Sequence, residues 1–324
     1  MKREIMVSVI MPVYNESEYV RNAVESILNQ SFRDFEFIII DDGSTDNTLD
    51  IIKNYKDDRI IVFESNHQGI VAQLNYGISR ARYKFIARMD GDDISHPHRL
   101  EKQVLFIHKN SDIDMVGTNV IYINNYGRSV IKKEFPENSN SIEYMMPILC
   151  SICHPTIMIK KEVLIEMGGY RNIKYVEDYD LFLRMLTKKK KMYNIQEYLH
   201  FYRFEKSYLK SKKLAIQDLI SLKLGERYIQ ENSPLPNDYD YFFRLALANY
   251  YRGKLHRSRS YLLKSLVKSP KRIFSVLRYI PLTILGDKIT AFLRGIGLLS
   301  GINMLFKRVF GYETQFSYNK YVRL

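Results

Sequence analysis

Acidic side chains stand directly after three apolar segments in the first hundred residues, where predicted strands end. These groups are Asn15-Glu16, Asp41-Asp42 and Asp90-Gly91-Asp92-Asp93. Because ligands of open α/β sheets bind beyond the carboxyl ends of the strands, we expect the three groups to share one crevice. Carboxylates this close repel one another unless a cation compensates, and their oxygens select hard divalent cations, which also bind substrate phosphates. The sequence therefore predicts a Mn²⁺ or Mg²⁺ site that holds a diphosphate.

Each acidic group, taken alone, is equally typical of a turn or a helix cap. The coincidence of three such groups at strand ends favours the ligand role. The sequence also lacks the glycine-rich loops that bind phosphate without a metal held by carboxylates. It has no Gly-x-x-x-x-Gly-Lys-Ser/Thr segment, and no Gly-x-Gly-x-x-Gly segment follows a predicted strand.

Apolar runs alternate with helical periodicities in the order of β-α-β-α units. Strands are predicted at Val7–Val13, Phe35–Ile40, Ile60–Phe63, Lys84–Met89, Met115–Ile123 and Thr156–Ile159. Helices are predicted around residues 19–28, 49–55, 71–78 and 180–186. This pattern indicates an α/β fold with a Rossmann-like, mainly parallel sheet flanked by helices.

The strand pattern ends near residue 205, and later segments have helical periodicity, at Leu214–Ile229, Tyr241–Tyr251 and Ser258–Val267. We therefore predict two domains, residues 1–205 and an all-helical extension, 206–324. The net charge of +13 is unevenly divided, with −2 on residues 1–200 and +15 on residues 201–324. This asymmetry indicates attraction to nucleic acid or to an anionic membrane, or else a solvated basic surface.

Composition and cysteine usage predict where the protein works. With 46% hydrophobic and 26% charged residues, the chain has the composition of a folded globular protein. Its two cysteines, Cys150 and Cys153, cannot build a disulfide framework, and the amino terminus lacks a signal-peptide pattern, so we expect the cytoplasm. The longest uncharged stretch of the tail, Gly295–Phe306, is shorter than the ~20 residues of a membrane span. Instead of a membrane span, we expect the tail to form an amphipathic segment that lies on the cytoplasmic face of the membrane.

The segments Ser8–Glu16, Asp41–Thr48 and Ala87–Ser95, in this order and spacing, resemble glycosyltransferase family 2 of the GT-A fold. Later segments are similar to the family as well: His154-Pro155-Thr156, Gly168-Gly169-Tyr170 and Glu177-Asp178-Tyr179-Asp180-Leu181. The resemblance covers residues 5 to about 205. It implies an inverting, metal-dependent enzyme that uses a nucleotide-diphosphate sugar.

The resemblance also implies roles for single residues. Those expected to bind the donor nucleotide are Pro12, Tyr14, Glu16, Asp42 and Asp90. Within this set, Tyr14 would lie against the base, Asp42 would accept a hydrogen bond from the base edge, and Asp90 would lie near the ribose. Asp92 is the expected metal ligand, and Asp93 is interpreted as a cap of the following helix.

Asp178 aligns with the catalytic base of the family. A sugar hydroxyl is a poor nucleophile, so its proton must be removed as the new bond forms. Without the resemblance, Asp178 would be interpreted as a helix amino-terminal acid stabilised by the helix dipole. His154, expected on an extended segment, and Glu177 are placed on the acceptor side, although a structural histidine fits nearly as well. Arg203 is interpreted either as a donor-phosphate contact or as an exposed structural arginine.

The chain contains no Trp, so it lacks the Gln-x-x-Arg-Trp motif that the resemblance associates with processive synthases. We therefore predict transfer of one sugar, from a UDP-sugar in the first instance, to a cell-surface glycan acceptor that is lipid-linked in one form of the hypothesis.

A sugar nucleotidyltransferase is the first alternative, but Pro12–Glu16 replaces its Gly-rich loop. A nucleic-acid-binding protein is the second, but the basic residues form no recognisable reading motif, so no nucleic acid partner is expected.

Overall fold

The computed structural model describes residues 6–204, 212–233, 238–251 and 254–269. The chain divides into two compact units, Met1–Met146 with Cys150–Glu205, and Pro147–Leu149 with Lys206–Leu324. The amphipathic tail expected after residue 270, with its uncharged stretch Gly295–Phe306, lies outside the described residues.

A mixed sheet forms the centre of the first unit. Its strands are β1 (Val7–Val13), β2 (Phe35–Asp41), β3 (Ile60–Glu64), β4 (Phe85–Arg88), β5 (Ile94–Ser95), β6 (Met115–Ile123), β7 (Ser129–Lys133), β8 (Met158–Lys160) and β9 (Met192–Arg203). Their order is β3-β2-β1-β4-β8-β6-β9-β5, and β7 pairs with β6. Strands β3, β2, β1 and β4 run parallel, whereas β8 is antiparallel to both β4 and β6. The α/β class is confirmed. Among the described strands, the parallel pairs are β1–β2, β2–β3, β1–β4 and β6–β9.

Helices cover this sheet and bury its apolar strands. They are α1 (Val20–Leu28), α2 (Thr48–Lys53), α3 (Ile70–Arg80), α4 (Arg99–Lys109), α5 (Ser139–Met145), α6 (Lys161–Glu166) and α7 (Glu177–Thr187). Every residue of β1 and β2 is buried, as expected for strands covered on both faces. Helix α3 packs closely through Gly77, where an added Cβ would stand 2.6 Å from Cγ2 of Ile10 and 3.1 Å from Cδ1 of Ile40.

The carboxyl ends of β2, β1 and β4 lie side by side, so the segments that follow them share one edge of the sheet. Hydrogen bonds join two of these segments. The backbone N–H of Asn15 donates to Oγ of Ser44 (3.0 Å), and that of Glu16 donates to Oγ1 of Thr48 (2.7 Å). The segments that carry the acidic groups after β1 and β2 are therefore joined to each other at this edge of the sheet.

Strand β9 lies beside β6 and also pairs with the short strand β5. The register places Ser95 opposite His200 and Ile94 opposite Phe201. Because β5 follows the acidic segment 90–93 directly, this pairing holds the end of β9 next to that segment.

The described part of the second unit consists of helices α8 (Lys212–Asn232), α9 (Tyr239–Tyr251) and α10 (Leu255–Lys268). Helices α9 and α10 form a hairpin, in which the rings of Phe242 and Tyr261 stack with centroids 6.4 Å apart. Oγ of Ser258 donates to the carbonyl of Ala246 (2.9 Å). Among the helices described, none combines the length and the apolar character needed to cross a bilayer.

Candidate active site

The acidic segment after β4 brings three carboxylates together. Oxygens of Asp90, Asp92 and Asp93 lie within 4.8 Å of one another. Gly91 lets this segment pack against the end of β1, because an added Cβ would stand 2.8 Å from Cγ1 of Val13 and 3.3 Å from Cγ of Glu16. The cluster therefore lies directly against Glu16.

Glu16 and the carboxylates of this cluster repel one another in partly buried surroundings. Burial, followed by the charges of Asp92 and Asp90, raises the pKa of Glu16 to about 8. Burial, followed by Asp93 and Asp90, likewise raises the pKa of Asp92 to about 8. A hard divalent cation would remove this repulsion, and carboxylate oxygens are the ligands it prefers.

Asp93 has both carboxylate oxygens engaged by protein groups. Its Oδ2 lies 2.7 Å from Nε2 of His200, and its Oδ1 accepts from the backbone N–H of Arg203 (2.7 Å). The residue is buried, and the next helix, α4, has His98 at its N-cap. The interpretation of Asp93 as a helix cap is therefore wrong, because long-range partners from β9 take its oxygens.

Arg203 holds the acidic segment through the main chain. Its Nε donates to the carbonyl of Asp92 (2.7 Å), and its Nη1 donates to the carbonyls of Asn124 (2.8 Å) and Asn125 (3.0 Å). Its guanidinium also lies 4.1 Å above the ring of Tyr19. Arg203 is buried by these contacts, so it is not an exposed arginine, and the donors named here serve backbone carbonyls instead of a phosphate.

Asp92 differs from its neighbours in that its carboxylate accepts no hydrogen bond from another described residue. Asp90 forms an ion pair with Nη1 of Arg88, the last residue of β4. Arg88 is only 4% exposed. Burial lowers its pKa, but the ion pair with Asp90 outweighs burial and raises the pKa above the usual arginine value. Among the three aspartates, Asp92 thus has the most freely available oxygens.

Asp42 follows β2 in the chain, and its carboxylate lies at the amino terminus of α3. Its carboxylate accepts from the backbone N–H groups of Gln68 and Gly69 (both 2.8 Å) and from the side-chain amide of Gln73. It also pairs with Nδ1 of His67 (3.2 Å). These donors match the roughly four acceptor positions of a carboxylate. A nucleobase can therefore reach Asp42 only if one of them moves, and the exposed ring of His67 is nearest to solvent.

Two exposed rings follow β1 and β3. Tyr14 is 40% exposed, and its ring centroid lies 4.1 Å from that of His67. Pro12, by contrast, is enclosed within β1. His67 was not predicted from the sequence, although the polar run Asn66-His67-Gln68 after an apolar strand was an available signal.

Asp178 lies in the first turn of α7 and is half-buried. The backbone N–H of Tyr179 donates to its Oδ1 (2.7 Å). Burial, followed by the neighbouring charge of Glu177, raises the pKa of Asp178 to about 6, and the guanidinium of Arg88 opposes this rise. Glu177, half-buried, begins the same helix.

His154 begins a short 3₁₀ turn, His154–Thr156, so the expected extended conformation is wrong at this residue. The ring is buried, and its Nε2 lies 2.7 Å from the hydroxyl of Tyr170. Burial, aided by the charge of Arg88, holds the pKa of His154 well below the usual histidine range, so the ring is neutral. Asn75 of α3 fixes Tyr170 in turn by hydrogen bonds to its N–H and its carbonyl (both 2.9 Å).

The guanidinium of Arg88 lies at the centre of this arrangement. It forms the ion pair with Asp90, and its charge acts on Asp92, on Asp178 and on Tyr170. Electrostatics therefore link Asp178 to the aspartate cluster through Arg88, and Gly91 packs that cluster against Glu16.

A sequence profile described as Glycosyl transferase family 2 matches residues 8–168 of the chain. The O-antigen biosynthesis glycosyltransferase WbnJ of Escherichia coli is 37% identical over 228 residues, which are 68% of this chain and 88% of WbnJ. The chain belongs to glycosyltransferase family 2. It is therefore a nucleotide-sugar-dependent glycosyltransferase, and the amylovoran biosynthesis glycosyltransferase AmsE of Erwinia amylovora is a further relative, 26% identical over 81% of this chain and 94% of AmsE.

Solved structures of other proteins that bind nucleotide sugars share the fold. TarS of S. aureus (residues 1–349), in complex with UDP-GlcNAc, superimposes with a TM-score of 0.59 over 87% of each chain, at 19% identity. The mannosyltransferase PcManGT from Pyrobaculum calidifontis, in complex with GDP-Man and Mn²⁺, gives a TM-score of 0.58 over 96% of this chain and 89% of its own, at 15% identity. The predicted GT-A fold is thus confirmed.

Proposed function

We propose that this family 2 enzyme transfers one sugar, with inversion, from a nucleotide-diphosphate sugar to a hydroxyl group of a surface polysaccharide under assembly. The observation that carries the proposal is that Arg88 forms an ion pair with Asp90, beside Asp92, and that its charge also acts on Asp178. The printed functions of WbnJ and AmsE, in O-antigen and amylovoran biosynthesis, support a polysaccharide acceptor.

The residues at the cluster fit a divalent cation. Asp92 would hold Mn²⁺ or Mg²⁺, with Asp90 beside it, and their oxygens are the ligands such cations prefer. A cation bound there supplies positive charge to the diphosphate leaving group as negative charge develops on it. The Mn²⁺ in the PcManGT complex supports this assignment.

Asp178 is the general base of the proposed reaction. Its carboxylate takes the proton of the acceptor hydroxyl as that oxygen attacks the anomeric carbon, and the nucleoside diphosphate leaves from the opposite side. A single displacement of this kind inverts the anomeric configuration. With a pKa of about 6, Asp178 is mainly ionised at neutral pH, as a base must be.

The donor nucleotide is proposed to bind at the edge formed after β1 and β2. The exposed ring of Tyr14 offers a stacking surface for the base, with His67 beside it. Glu16 lies between this edge and the aspartate cluster. Asp42 shapes the loop 67–69 and reaches a base only after one of its four protein donors has moved.

Donor hydrolysis tests the proposal without knowledge of the acceptor. The full chain, with Mn²⁺, is incubated with UDP-glucose, UDP-galactose, UDP-N-acetylglucosamine and GDP-mannose, and the released nucleoside diphosphate is measured. We expect slow release from one of these donors, abolished by EDTA. Absence of both binding and release for every donor would contradict the proposed donor class.

Peripheral membrane binding through the basic second unit is part of the proposal, since it would place the enzyme near a lipid-linked acceptor. On α10, Leu263 and Val267 are 57% and 79% exposed, and Lys264 and Lys268 are exposed beside them. Apolar side chains next to basic ones are typical of helices that lie on anionic membranes.

The double variant Lys264→Glu/Lys268→Glu is expected to bind anionic vesicles at least tenfold more weakly, since each basic residue near the surface contributes ~1 kcal/mol. Sedimentation with vesicles of phosphatidylglycerol and phosphatidylcholine measures this. The matched control, Lys109→Glu/Lys188→Glu, makes the same charge change in the first unit and should bind as the wild type does. Equal binding by both double variants would exclude α10 as the contact.

A further inference from the structure

Arg88 has hydrogen-bonding capacity that the protein leaves unused. It ends β4 with Ile10 of β1 beside it in register, which directs its side chain to the α3 side of the sheet. The side chain is 4% exposed, yet its Nε has no hydrogen-bond partner among the described residues. A buried N–H without an acceptor costs free energy, which a ligand acceptor would recover.

Arg88 interacts with both sides of the reaction centre of the proposed function, the metal site and the base. Its Nη1 pairs with Asp90, two residues before the expected metal ligand Asp92, and the proposed base Asp178 lies within range of its charge. In a direct displacement, the transferred sugar must lie between the base and the metal-bound diphosphate. A sugar ring bound in this way would lie near Arg88.

The chemistry of this pair suits a neutral polyol better than a phosphate. Asp90 neutralises the guanidinium, and the other groups nearby are carboxyls, which repel phosphate. A guanidinium N–H donates to a hydroxyl oxygen, while the adjacent carboxylate accepts from a hydroxyl. The two groups together complement neighbouring hydroxyls on one sugar.

We propose that Arg88, paired with Asp90, binds hydroxyl groups of the donor's sugar and thereby contributes to donor-sugar selection. This inference rests on the proposed function, since it requires a nucleotide-sugar donor in the same crevice.

The test compares two ligands of one protein. For the donor identified by hydrolysis, calorimetry in Mn²⁺ gives the Kd of the nucleotide sugar and the Kd of its nucleoside diphosphate. Arg88→Gln is expected to raise the ratio of the first Kd to the second about tenfold, because only the sugar loses a charge-assisted hydrogen bond. Arg88→Lys keeps the charge beside Asp90 but lacks the planar donors, so a smaller increase is expected, and this variant serves if Arg88→Gln does not fold.

Arg99→Gln is the matched control. Arg99 is also a buried arginine whose Nε has no hydrogen-bond partner among the described residues, and its Nη1 donates to the carbonyls of Arg88 (3.2 Å) and Pro155 (2.7 Å). Unlike Arg88, it forms no ion pair with the aspartate cluster within the described part of the chain. Its loss is expected to leave the Kd ratio unchanged, even where stability falls. A Kd ratio that stays unchanged in the Arg88 variants, even if both affinities fall, would overturn the inference. A wild-type protein that binds none of the donors would instead overturn the proposed donor class, and the inference with it.

Discussion

Asp178→Asn is expected to slow sugar transfer by about 10²–10⁴-fold while the affinities for Mn²⁺ and donor remain near those of the wild type. The substitution keeps an oxygen at the position that accepts the N–H of Tyr179, so the start of α7 should be preserved. Only the ability to take a proton is lost. Initial rates at saturating donor and Mn²⁺, together with donor titrations, separate the two effects.

The pH profile gives this prediction a second readout. Because burial and Glu177 raise the pKa of Asp178 to about 6, the competent carboxylate form predominates above that pH and is lost below it. The wild-type rate should therefore fall about tenfold per pH unit below pH 6. The residual rate of Asp178→Asn should lack this dependence.

Asp180→Asn is the matched control on the same helix. The carboxylate of Asp180 is committed to Arg184 (2.7 Å), whose Nη2 donates to the carbonyl of Gly169 (2.9 Å). We expect lower thermal stability and an unchanged acid limb of the pH profile. A fully active Asp178→Asn enzyme would remove the base assignment.

Asp92→Asn is expected to stabilise the metal-free protein and to abolish its stabilisation by Mn²⁺. In the folded protein, burial, Asp93 and Asp90 raise the pKa of Asp92 to about 8. Its ionised form is therefore disfavoured by folding, and the cost grows as the pH rises from the usual aspartate pKa towards 8. An amide removes that cost. At pH 8 in EDTA, the Tm should rise by at least about 2–4 °C, which corresponds to ~1 kcal/mol in a domain of this size.

The wild type should gain stability when Mn²⁺ is added, because a ligand that binds only the folded state raises the free energy of unfolding. Asp92→Asn should not. Asp46→Asn is the control, because the carboxylate of Asp46 accepts from the N–H groups of Ser17 (3.1 Å) and Thr48 (3.0 Å). Its metal-free Tm should fall and its Mn²⁺ response should persist. Equal Mn²⁺ responses in Asp92→Asn and the wild type would place the metal elsewhere.

The parallel half of the sheet was predictable because its strands are continuous apolar runs. Strand β1 (Val7–Val13) and strand β6 (Met115–Ile123) have the predicted bounds. Helix α4 was not predicted, since its buried face carries Arg99 and Gln103 beside Leu100 and Ile107 and so lacks a clean apolar period. Strand β9 was missed as well, because a register shift in its pairing with β6 interrupts the alternation of buried and exposed residues.

The site was predictable where residues follow strand ends and unpredictable where distant segments meet. The neighbourhood of Glu16 and the aspartate cluster follows from adjacent parallel strands. Asp93, however, is held by His200 and Arg203, which lie more than a hundred residues later, and no spacing rule connects them. Arg88 could have been noticed as a charged residue inside an apolar strand, where burial requires a partner.

The central claim is that a divalent cation, held at Asp92, binds the diphosphate of the donor. Calorimetric titration of the full chain with UDP and GDP, in Mn²⁺ and then in EDTA, tests it most directly. We predict that EDTA weakens binding of the preferred nucleotide at least tenfold and that Asp92→Asn binds equally weakly in either buffer. Equal affinity of the wild type in Mn²⁺ and in EDTA would contradict the account.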